Sequence, residues 1–360
     1  TPDPDGEVTI NGAIWTGHAA GSTAGAGPYA LADDMPIAAG AVQVYTLVLD
    51  AKLSIGVVSG TTNVTECFIE DTQYLAGYGL FNEAQIVYGA TTTKVTVIDC
   101  GEIPPYIVPE KAFVSASEPD ADGDFQVTYT VTVKNTGGSA GTYDLTDTPD
   151  PDGEVTVLGG AVSGQANAAL AGAGPYTLAD DMAIGAGEVQ VYTLVLDAKL
   201  SIGVVSGTTN VTECLVEESQ YLAGYGLFNE AEIVYGTATT KVTVIDCGEI
   251  PPFIVPEKEF ISASEPDADG DFQVTYTVTV KNTGGSAGTY DLTDTPDPDG
   301  EVTILGGTVS GQASDTLVGA GPYLLADDMA IAAGEVQVYT LVLDAKLSIG
   351  VVSGTTNVTE

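Results

Sequence analysis

The sequence predicts an all-β chain built from tandem antiparallel β-sandwiches. Segments such as "FQVTYTVTVKNTG" (125–137), "VQVYTLVLDAKL" (189–200), "NEAQIVYG" (82–89) and "TTKVTVIDC" (92–100) alternate with period two and are rich in Val, Thr, Tyr and Ile. Between them lie "NTGGSAG", "DPDG", "AGAGP" and "AAGE", which are Gly, Pro, Asp and Asn turns. No segment of a dozen residues holds a 3.6-residue apolar period. Short strands separated by polar turns are the pattern of a β-sandwich.

The third observation is a repeat. "TPDPDGEVT" starts at 1, 148 and 295, a spacing of 147 each time. "ADDM" (32, 179, 326) and "YTLVLDAKLSIGVVSGTTNVTE" (45, 192, 339) keep the same register, as do "CGEIPP" (100, 247) and "YLAGYGLFNEA" (74, 221). The copies diverge most at 11–23, 158–170 and 305–317, which is read as an exposed loop on a constant frame. That segment holds the only Trp (Trp15) and the only His (His18). The linker reading falls on "GEIPPYIVPEKAF" (101–113) and its copy at 248–260, where closely spaced prolines disfavour a central strand. Residues 1–103 then form the C-terminal part of one module, 104–250 a complete module, and 251–360 the N-terminal part of a third. The partial end modules are expected to belong to a longer repetitive polypeptide, with completion by strands of neighbouring chains as the alternative.

Composition narrows the partners. A length of 360 residues with 44% apolar side chains suits two or three domains with real cores, despite a formal charge of −41. All nine cationic side chains are Lys, so the bidentate Arg clamp for phosphate or carboxylate is missing. Such a chain repels nucleic-acid phosphates and anionic lipids, and its natural small partners are cations. No run reaches the roughly 18–20 apolar residues of a membrane span.

Here a family resemblance enters. "VTYTVTVKNTGGSAGTYDLTDT" (127–148), "AIGAGEVQVYTLVLDA" (183–198) and "NEAEIVYGTATTKVTV" (229–244) resemble the conserved-repeat, immunoglobulin-like domain found in tandem in large bacterial and archaeal surface proteins. The resemblance implies immunoglobulin-like sandwiches arrayed in adhesins, sheaths or stalks, and it carries over no catalytic residues. The chain departs from the family in its longer modules and in two Cys per module.

The candidate residues follow. Cys67 with Cys100, and Cys214 with Cys247, are each expected to close one disulfide per module, which points to an oxidising, extracellular compartment. "EPDADGD" spaces Asp120, Asp122 and Asp124, and again Asp267, Asp269 and Asp271, as in the first half of a calcium loop. Asp150 and Asp152 belong to a second acidic turn. Calcium binding there competes with plain turn chemistry on a solvated surface. "NVT" at Asn63, Asn210 and Asn357 marks N-glycosylation sequons. A Lys–Asn amide between Lys111 or Lys258 and Asn82 or Asn229, promoted by a buried carboxylate, is weighed against the plainer reading of solvated side chains. One His and no nucleophile constellation leave no basis for an enzyme. The expected function is a structural protein of an extracellular fibre, sheath or stalk at the cell surface, whose partners are copies of itself or neighbouring modules. The alternatives are an adhesin that binds glycan or protein through the Trp15 segment, and a surface-layer lattice.

Overall fold

The computed structural model describes residues 1–54, 67, 74–89, 93–201, 214, 221–236 and 240–348. Among these residues there is no helix, and every strand pairing is antiparallel. The first stretch holds β1 (Val8–Gly17), β2 (Gly21–Ala24), β3 (Tyr45–Leu53), β4 (Asn82–Tyr88) and β5 (Thr93–Asp99), in sheets ordered β2-β1-β3 and β4-β5.

The middle stretch holds β6 (Ile107–Ala116), β7 (Asp124–Asn135), β8 (Gly141–Pro149), β9 (Val155–Gly164), β10 (Ala168–Ala171), β11 (Tyr176–Ile184), β12 (Val189–Leu200), β13 (Leu227–Tyr235) and β14 (Thr240–Gly248). Its two sheets run β10-β9-β12-β7-β6 and β11-β8-β13-β14. The last stretch holds β15 (Ile254–Ala263), β16 (Asp271–Asn282), β17 (Gly288–Asp294), β18 (Val302–Gly311), β19 (Asp315–Val318), β20 (Tyr323–Ile331) and β21 (Val336–Leu347), in sheets β15-β16-β21-β18-β19 and β17-β20.

Period two places the core. On β7, Val127, Tyr129, Val131 and Val133 are buried; on β12, Tyr192, Leu194, Leu196 and Ala198 are. From the opposite sheet, Tyr143 and Leu145 of β8 and Ala231 and Ile233 of β13 enter the same apolar cluster. Both middle sheets therefore share one core. Ile250 and Phe253 belong to it too, so it extends past the expected boundary at 250.

Buried polar groups organise the ends. The Asn135 amide donates to the Ser139 and Gly185 carbonyls at 2.8 and 3.1 Å. Its oxygen accepts from the Tyr106 and Gly137 N–H groups at 3.1 and 3.0 Å. One side chain thus ties the start of β6 to the turns after β7 and before β12. The Tyr143 and Tyr192 hydroxyls meet at 2.7 Å inside the core.

Two expectations change. Residues 107–113, read as linker, are the first part of β6, with Pro109 opposite Val133. β6 is an edge strand, where a missing N–H costs no ladder bond. The variable segment is a hairpin and not a loop: β1 with β2, β9 with β10, β18 with β19. Trp15 stands half-buried opposite Gly21, and the residues at its place in the other copies, Val162 and Val309, are core positions.

Candidate functional site

The strongest concentration of chemistry lies inside the middle module. Three strands each turn one polar side chain inward. Lys111 lies on β6 at the edge of one sheet; Asp147 and Asn229 lie on the neighbouring strands β8 and β13 of the other. Strand parity explains the placement. Asp147 follows Tyr143 and Leu145 on the core-facing side of β8, and Asn229 precedes Ala231 and Ile233 on that of β13. The side chains of Lys111 and Asp147 are both 0% exposed, and Asn229 is fully buried.

Lys111 Nζ donates to Asp147 Oδ2. Asp147 Oδ1 and both amide atoms of Asn229 are buried without completing a hydrogen bond. The Asn229 amide nevertheless stands close enough to the carboxylate to draw its pKa down. Lys111 Nζ also lies 5.1 Å from the centre of the Tyr129 ring, and Phe113 packs edge-on against that ring. The Tyr129 hydroxyl donates to the Leu227 carbonyl. β14 closes the seam: the Phe113 N–H donates to Asp246 Oδ2 at 2.6 Å. Gly248 is required there, because any Cβ would strike the Phe113 ring.

Burial dominates the electrostatics. It pushes the Lys111 ammonium pKa down, against the opposing pull of Asp147, Asp246 and Glu230. It pushes the Asp147 carboxyl up, against Lys111 and Asn229. Both shifts favour the neutral pair, an amine beside a carboxylic acid, because charge is costly without water. Each unmade buried hydrogen bond costs about 1–3 kcal/mol, so the Asn229 amide is an expensive feature for a purely structural core.

The other predicted positions have simpler settings. Cys67–Cys100 and Cys214–Cys247 are disulfide-bonded, each with Cα atoms 5.8 Å apart. Such bonds persist in oxidising compartments. In the acidic turn, Asp120 Oδ1 accepts from the Asp122 and Asp124 N–H groups at 2.9 and 3.0 Å, and Asp124 pairs with Lys199 at 3.0 Å. Asp267, Asp269, Asp271 and Lys346 repeat this arrangement. Gly123, at φ +82°, makes the corner beneath the Leu200 carbonyl. Asp152 is buried and takes the Glu154 N–H at 2.9 Å, while Asp150 is exposed in the same turn. Among the described residues no three acidic, His or Cys side chains are grouped to hold a metal. Asn63, Asn210 and Asn357 lie outside the described residues. His18 is exposed and lies edge-on to Tyr45. No described helix is long and apolar enough to cross a membrane.

Lys111 and Asn229 were legible as candidates in the sequence, but Asp147 was not. "TPDPDGE" (148–154) reads as turn chemistry and Asp147 stands just before it; the available signal was the inward parity of Asp147 with Tyr143 and Leu145. The chain matches no family model and no curated protein.

Proposed function

We propose that the chain is part of an extracellular structural fibre, sheath or stalk built from tandem immunoglobulin-like β-sandwich modules. The observation that carries this reading is the 147-residue recurrence of one strand pattern around one shared two-sheet core. The disulfide within each of two copies, the strongly negative surface and the surface-protein motifs quoted above support it. In such an array each module resists extension through its ladder hydrogen bonds, and negative charge keeps the modules apart until cations screen it. The half-buried setting of Trp15, with Val at its place in both other copies, favours a packing role over sugar stacking.

Electron microscopy of the native material tests the proposal. Filaments of uniform width with an axial period of ~40–50 Å, the size expected for a compact module of this length, are the expected result. Two-dimensional sheets, or dispersed monomers, would overturn it. The same images taken with and without EDTA report whether the acidic turns hold calcium between modules or serve only as strand corners.

A further inference from the structure

We propose that Lys111 and Asn229 are joined by an amide bond that the protein forms on itself, with Asp147 carrying the protons. The inference stands on the geometry of the middle module and does not depend on what the chain assembles into.

Three observations converge. First, the nucleophile and the carboxamide converge on the same carboxylate: Lys111 Nζ is bonded to Asp147, and Asn229 lies on the same core-facing side of the adjoining strand, one diagonal step from Asp147 in the β8–β13 register. Second, the amide of Asn229 is fully buried yet completes no hydrogen bond, and Asp147 Oδ1 is equally unpartnered. A core selected only to hold an ion pair would satisfy these atoms or replace them with apolar ones. Third, the site is dry and walled by Tyr129 and Phe113, with β14 drawn across it by the Phe113–Asp246 bond. A lysine ammonium is not nucleophilic. Enclosure of this kind moves its proton to the neighbouring carboxylate and leaves a free amine.

The reaction balances without an outside reagent. The Lys111 ammonium gives one proton to Asp147, and the neutral Nζ attacks Cγ of Asn229, forming the new C–N bond. Asp147, now a carboxylic acid, protonates the departing Nδ2 and takes the remaining proton from Nζ. The Cγ–Nδ2 bond breaks, and ammonia leaves, as ammonium once it takes the proton held by Asp147. Nothing is oxidised or reduced, and the carboxylate is regenerated. The product joins β6, at the edge of one sheet, to β13 in the other.

The other copies carry parts of the same trio. Lys258 bonds Asp294, and Asn82 holds a buried amide oxygen with no partner. Among the described residues only the middle module assembles all three.

The experiment is mass spectrometry of the full chain with its disulfides reduced, followed by peptide mapping. Expected is an intact mass below the sequence mass by one ammonia, and a branched peptide in which the segment holding Lys111 is covalently attached to the segment holding Asn229. Trypsin should fail to cut after Lys111. Linear peptides with a cleavable Lys111 and an intact Asn229 amide would overturn the proposal. Ammonia loss confined to a cyclised Asn229 on a linear peptide would do the same. Asp147→Asn should slow formation of the branched peptide on the order of a hundredfold, the usual range for a positioned proton carrier. Undiminished cross-linking in that variant would remove Asp147 from the chemistry. Lys258→Met is the control and leaves the cross-link unchanged. The wild-type map stands by itself even if a variant fails to fold.

Discussion

The Lys111–Asp147 pair and the Lys258–Asp294 pair are the same residues on the same strands of two sequence copies, yet their surroundings differ. In the first, both side chains are 0% exposed. In the second, Lys258 is 43% exposed and Asp294 only 4%. Nearby contacts are preserved, since Lys258 lies 4.8 Å from the Tyr276 ring as Lys111 does from Tyr129 at 5.1 Å. What differs is the strand beyond. β8 has β13 alongside it, whereas β17 pairs only with β20 among the described residues. Phe260 is exposed where Phe113 is packed, and a crevice of about 350 Å³ opens over Lys258 and Tyr276. The lesson is that lysine and aspartate alone make an ordinary ion pair. The covering strand, with its asparagine, makes the dry site.

Mutation of each lysine gives the largest contrast. Lys111→Ala strands a buried carboxyl group and should destabilise the middle module by about 3–5 kcal/mol. Lys258→Ala removes a half-wet pair and should cost about 1 kcal/mol or less. Hydrogen exchange on the full chain reads both, in β8 and β13 for the first and in β17 for the second. Equal effects would erase the distinction drawn above.

Disulfide reduction comes next. Closing the loop between Cys214 and Cys247, separated by 33 residues, stabilises by roughly 3–4 kcal/mol in chain-entropy terms. The Cys214→Ser, Cys247→Ser double variant should lower the denaturant midpoint of β6–β14 while leaving β15–β21 unchanged. A matching drop in both regions would mean that the two cores unfold as one.

The smallest expected effect concerns pH. N–H groups of Asp271 and Asp269 hold the Asp267 carboxyl below its ordinary value of 3.8. A depressed folded-state pKa contributes stability above the unfolded value and loses it as pH falls through the folded one. The Asp267 turn should therefore loosen only in acid below the usual aspartate range. Amide chemical shifts of Asp269 and Asp271 followed through an acid titration would register it. A midpoint at or above the ordinary value would show that those hydrogen bonds are absent in solution.

Much of this fold was readable in the chain. β7 and β12 alternate so regularly that their buried faces follow from parity, and the cysteine spacing paired correctly. The failures share a cause: local chemistry that tertiary position overrides. Pro109 reads as a strand breaker, but at a sheet edge its missing N–H faces no partner. The Gly-rich 158–170 segment reads as a loop because β10 is only four residues long and leaves no pattern of its own. Asp147 stands just before the acidic turn at 148–154 and draws no reading of its own, although its side chain points into the core. Its burial depends on β13, which follows much later in the chain, and no local window contains that information.

The placement of Cys247 in the final strand has a mechanical consequence. Tension entering the middle module from its C-terminal side reaches Cys247 first and crosses to Cys214 through sulfur. The hairpin of β13 and β14 lies almost wholly within that closed loop, so pulling on the ends cannot peel it open. Unravelling has to take place outside that loop, and the hairpin adds nothing to the contour length until the bond is reduced.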